Sequence, residues 1–156
     1  MTENAFFNQE VLSLLRQAGW FPGRNVGETI DYPSDVNYPI DTQMLLNEYG
    51  KLFVRSTGAG VNMGRNSIDF DPSWADQESS EDGRLHYYSE LIGTTLYPIG
   101  YIRDESLFLC VDSSHKVYMA GDNLYWMGNS FVEGISNILL GISGKIFDEQ
   151  EIHWIE

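Results

Sequence analysis

Basic residues are scarce in this 156-residue chain: nine Lys and Arg stand against 23 Asp and Glu, a net charge of −14. Such a surplus repels phosphate backbones and anionic headgroups, which argues against direct binding to nucleic acid or to a membrane. Cysteine is almost absent. Cys110 has no partner for an internal disulfide, which fits a reducing, cytoplasmic compartment. Long apolar runs are missing too. The stretch from Phe131 to Ile142 is broken by Glu133, Gly134, Ser136 and Asn137, so it cannot span a bilayer. The opening MTENAFFNQE begins with Glu3 and Asn4 instead of basic residues and has no secretory apolar region. Repeats and low-complexity tracts are also lacking.

What is present is a globule's worth of apolar residues, 42% of the chain, with 13% aromatic. Phe6, Phe7, Val11, Leu14, Leu15 and Ala18 recur at helical spacing and predict an amphipathic helix over Asn4 to Ala18. Gly19 suits the left-handed residue that ends it, and Trp20 the apolar contact that folds back on its last turn. Pro22 and Gly23 read as the centre of a type II turn. Asp41 is an expected N-cap for a second helix closed by Gly50. KLFVRS and NSIDFD then read as short strands, and GRLHYYSELIG as a third helix. Strands TTLYPIGYI, SLFLCVD, KVYMAG and LYWMG follow at meander spacing. A capping box, Ser130 to Glu133, opens a last helix with Phe131, Ile135, Ile138, Leu139 and Ile142 on one stripe. The tail DEQEIHWIE suits an edge strand. The expectation is a single α+β domain over residues 1–156. Its mainly antiparallel sheet would have about five to six strands, flanked by helices at the N-terminus, middle and C-terminus.

Tests for chemistry fail one by one. In STGAGVNMGRN the glycines fall at 58, 60 and 64, whereas a dinucleotide fingerprint needs one at Met63 and a helix, not a strand, after it. GISGK lacks the first glycine of a phosphate loop, since Leu139 stands there, and carries Ile146 in place of Ser or Thr. His86, His115, His153 and Cys110 have no metal-ligand spacing. Asp69 and Asp71 alternate onto one strand face, which suits a solvated acidic edge better than a cation site lacking EF-hand offsets. Cys110 lies in phase with Phe108 and Asp112 in a strand, where a thiol is buried and inert. No catalytic residue, metal or cofactor is expected.

One resemblance covers nearly the whole chain. LLRQAGWFPGR, then FVRS, then LYPIGYIRDESLFLCVDSSHKVYMAGDNLYWMGNSFVEGISNILLGI is similar to the third subfamily of the SUKH superfamily, bacterial immunity proteins of polymorphic toxin systems. The motif residues are Gly19, Trp20, Pro22 and Arg24, then Pro98, Ile99 and Gly100, then Leu109, Asp112, Val117 and Tyr118. Gly128, Ser130, Glu133, Ile135, Leu139, Leu140 and Gly141 complete them. His115 departs from the family, which usually has glycine in that hairpin turn; glycine supplies a positive φ freely and histidine only at some cost, which leaves the turn geometry open. The resemblance implies a non-enzymatic protein whose partner is a cognate toxin, often a nuclease and hence cationic. A scaffold or regulatory interaction module of the same fold is the alternative.

The expected partner-binding surface is the acidic run Asp69, Asp71, Asp76, Glu78, Glu81 and Asp82 with Trp74 among them. Steering charges around an aromatic anchor are the usual anatomy of a tight interface. A second candidate is the sheet face carrying Tyr118, Tyr125 and Trp126. Gly19, Trp20, Pro22, Arg24, Pro98, Gly100 and Asp112 are expected to serve architecture, with Arg24 held by an acidic group or carbonyls near the turn.

Overall fold

The structure, a computed structural model, describes residues 6–75 and 83–156. Eight antiparallel strands lie in chain order: β1 (Phe53–Val54), β2 (Ile68–Asp69), β3 (Tyr97–Ile102), β4 (Leu107–Val111), β5 (Val117–Ala120), β6 (Leu124–Gly128), β7 (Lys145–Asp148) and β8 (His153–Ile155). Among the described residues the helices are α1 (Gln9–Ala18), α2 (Ile40–Tyr49), α3 (Arg84–Ile92) and α4 (Phe131–Leu140). The α+β class and antiparallel sheet match expectation, but the sheet is larger than five to six strands. The tail does pair as β8, and β7, which it needs as a neighbour, carries no alternation in GKIFDE strong enough to announce it. None of the described helices is long and apolar enough to cross a membrane.

Strand alternation divides the core in two. Val54, Ile68, Ile99, Leu109, Val111, Val117, Met119 and Met127 face α1, α2 and α4. Phe108, Cys110, Tyr118, Ala120, Leu124 and Phe147 face α3, Trp74 and Trp154. Both faces of β4 and β5 are therefore covered, which is why LFLCV and VYMA read as continuous apolar runs.

The family motif residues sit at joints. Gly19 takes φ 113° and its N–H donates to the Arg16 carbonyl, while the Trp20 N–H reaches Leu15 at 3.0 Å. That is the expected left-handed helix stop. Gly23 has φ 84°, and the Arg24 N–H donates to Phe21 across the turn begun by Pro22. Trp20 is half-buried, donating from Nε1 to Glu48 Oε2 at 2.9 Å, and Arg24 Nη1 donates to the Glu48 carbonyl at 2.5 Å. The Pro98 carbonyl accepts from Tyr38 Oη, which ties the chain before α2 to β3. A Cβ on Gly100 would lie 2.3 Å from the Asp69 carbonyl, so glycine is what lets β2 approach β3. Asp112 staples the β4–β5 hairpin: Oδ1 accepts from Ser114 and Lys116 N–H groups and Oδ2 from Tyr118 Oη. His115 takes the left-handed φ of 64°.

Several boundaries shift. α1 begins at Gln9 with Asn8 as N-cap, its Oδ1 accepting from the Val11 N–H. Asp41 lies inside the first turn of α2, since the helix starts at Ile40 behind Pro39. Gly50 stands at the C-cap with φ −56°, and Lys51 takes the left-handed conformation instead. Ser130 Oγ accepts from the Glu133 N–H as expected, while Glu133 Oε1 reaches back to Asn129.

Candidate functional site

The register Phe53↔Asp69↔Tyr101 puts these three side chains in one cross-strand row on the α3 side of the sheet. Asp69, only 7% exposed, would be an uncompensated charge there. Arg103, in the turn after β3, supplies the compensation. Its Nε and Nη2 donate to Asp69 Oδ2 at 3.0 and 2.5 Å, and Trp74 Nε1 lies 3.3 Å from the same oxygen. The guanidinium is held between rings, 5.0 Å from the Phe53 centroid and 5.4 Å from that of Trp74. Arg55 lies over Phe53 at 5.9 Å. Trp74 stacks on Tyr101 at 5.0 Å and 11°, and Tyr101 meets Phe108 edge-on.

Asp69 and Asp71 do not share a solvated strand face. The strand ends at Asp69, and Asp71 turns away to accept from the Ser73 N–H at 3.1 Å and Ser73 Oγ at 2.7 Å. Asp69 is neutralised within the fold, whereas Asp71 and Trp74 stay half-exposed. Asp76, Glu78, Glu81 and Asp82 lie outside the described residues. Sequence reasoning missed Phe53, Arg55, Tyr101 and Arg103. RDES lies between two expected strands, and the tell-tale was an arginine directly after a strand in a chain with so few cations.

The second candidate face divides. Tyr118 and Trp126 pair across β5 and β6 on the α3 side, while Tyr125 points to the opposite core. Tyr118 is buried against Asp112, and Trp126 is flanked by Lys116 and Lys145 at 5.5 and 5.3 Å.

No catalytic constellation assembles among the described residues. Cys110 is fully buried and desolvation pushes its thiol up, so no nucleophilic thiolate forms. His86 pairs with Glu90, His115 approaches Thr42, and His153 is exposed on β8. The glycine loop from Gly58 to Asn66 uses its N–H groups as a helix cap. Val61 donates to Leu140, Asn62 and Met63 to Gly141, and Asn66 to Ile138. These are the carbonyls that the end of α4 leaves without helical partners, so these four amides serve the helix end and not a phosphate.

Compared with known proteins, residues 7–141 match the profile of the SUKH-3 immunity protein family. No match was found among curated proteins or solved structures.

Proposed function

The chain belongs to the SUKH-3 immunity protein family, and from that premise we propose that it neutralises a cognate bacterial toxin of nuclease type by binding it through an acidic surface. The protein acts by occupancy in the cytoplasm, not by catalysis. The carrying observation is the charge: −14 overall, with six carboxylates and no Lys or Arg between Asp69 and Asp82. A nuclease cleft shaped for phosphate is cationic, and an acidic surface steers toward it and occupies it. Asp71, Asp76, Glu78, Glu81 and Asp82 supply the negative charge, and Trp74, propped by Tyr101 and Arg103, supplies the anchor. Asp69 holds the platform together instead of touching the partner. Because both cores are built on one continuous sheet, residues 1–156 are read as one domain.

Charge reversal at Asp71 and Glu78, with Asp69 left intact, tests this reading. Calorimetric titration of the inactivated toxin domain is expected to give at least about tenfold weaker binding, with the largest loss at low salt. Unchanged affinity would remove the 69–82 segment from the interface.

A further inference from the structure

The outer side of α2 breaks the rule that α1 follows. α1 turns Gln9, Glu10, Ser13, Arg16 and Gln17 to solvent, as a surface helix should. α2 buries Thr42, Leu46 and Tyr49, yet leaves Ile40 69% and Met44 61% exposed. Residues four apart lie one above the other, so these two form a continuous apolar strip. Exposing it is unfavourable for the isolated chain.

The segment that carries the strip is of one sign, and the basic groups that reach α2 from elsewhere are Arg24, at the Glu48 carbonyl, and His115, beside Thr42. From Asn25 to Gly50 there is no Lys, Arg or His, while Glu28, Asp31, Asp35, Asp41 and Glu48 all fall in that span. Asp41 lies in the first turn of α2 next to Ile40, and the short 3₁₀ turn carrying Glu28 packs along the helix, its neighbour Val26 donating to the Asn47 carbonyl. Glu28, Asp31, Asp35 and Asp41 are exposed and make no ion pair among the described residues. The helix is rigidly seated. Tyr38 Oη reaches Pro98, Gln43 Nε2 donates to the Tyr38 carbonyl, and Glu48 accepts from Trp20. A rigid apolar centre with an unpaired acidic rim matches an apolar patch ringed by Lys and Arg. A second copy of this chain would bring like charge instead.

We infer that the outer face of α2, with Ile40 and Met44 as anchors and Asp41 and Glu28 on the rim, is a docking surface for a basic protein face, that of the toxin. It rests on the immunity reading, and it adds a contact surface on the side of the sheet opposite Trp74. Unlike Asp69, whose charge is cancelled by Arg103, this surface offers both anchor and unspent charge.

The test is titration of the inactivated domain of a candidate cognate toxin against four proteins. Wild type is expected to bind. Ile40→Ala with Met44→Ala is expected to bind at least about tenfold more weakly through faster dissociation, at unchanged melting temperature. Asp41→Lys is expected to slow association and flatten its salt dependence. Ile152→Ala, an exposed apolar residue elsewhere, is expected to match wild type. A double variant that binds like wild type overturns the α2 surface alone, whereas wild type failing to bind overturns the immunity reading with it.

Discussion

Arg103 decides the character of the β1–β3 edge, because it converts a buried carboxylate into half of a paired unit. The guanidinium is 54% exposed in its side chain and the Asp69 side chain only 10%, so water screens one partner and not the other. Arg103→Ala is expected to cost about 2 kcal/mol in chemical denaturation, the penalty of a buried carboxylate left without its counter-ion. A cycle with Asp69→Asn should return a coupling of about 1–3 kcal/mol. Additive costs would mean that the pair is incidental. Residues with backbone tasks were readable beforehand: Gly19, Pro22 and Gly23 have left-handed or turn geometries that few other residues accept. Trp20 was expected as a plug and proves half-buried. Sequence periodicity does not say how much of a ring its neighbours cover. Arg103 was hidden because its partner lies 34 positions away, beyond any local pattern.

At the scale of elements, α4 and the strands beneath it approach through glycine. A Cβ on Gly134 would stand 2.2 Å from Val117 Cβ, and one on Gly128 would stand 2.4 Å from the Gly134 nitrogen. Gly134→Ala sets two effects against each other. Helix propensity favours alanine by about 1 kcal/mol, while forcing the helix off a packed strand costs about 3 kcal/mol. A net loss of about 2 kcal/mol is expected in urea denaturation, and a stabilised variant would contradict the close packing. The elements most legible in the sequence were those with strong local signals, such as α1, α4 and the meander from β3 to β6. β1 and β2 shrank to two residues each because left-handed Lys51 ends the extended backbone, although Lys51 and Leu52 still bond Phe70 across the pair, and because Asn66 is drawn off to cap α4. Such competition for backbone partners is a tertiary effect that no short window contains.

The whole molecule should be stable in neutral solution and weaken in alkali. Burial pushes up the Cys110 thiol and the hydroxyls of Tyr38, Tyr49 and Tyr118, and raises Tyr88 to about 12. The unfolded chain releases these protons near pH 8.5 for cysteine and about 10 for tyrosine, whereas the fold retains them. The unfolded state then binds fewer protons, so stability falls as pH rises, with a slope of about 1.4 kcal/mol per pH unit for each such group. Urea midpoints should fall steadily above about pH 9, with a sharp rise in phenolate absorbance on unfolding. Midpoints constant to pH 11 would contradict the burial of these groups. At this scale the acidity was plain from composition, and so was the family from spaced motifs. The surface that uses the acidity was not. Charge counts do not reveal that Asp69 is neutralised, nor that Ile40 and Met44 face outward from a helix whose pattern offers apolar residues on both sides.

The central claim is that this chain silences a toxin by binding it, and growth of cells making both proteins tests it most directly. Co-expression with the active domain of a candidate cognate toxin should restore growth to that of cells without toxin, and purified complex should show the toxin inhibited in proportion to occupancy. Cells that die with the full-length partner present at excess, with the toxin uninhibited in vitro, would contradict the account.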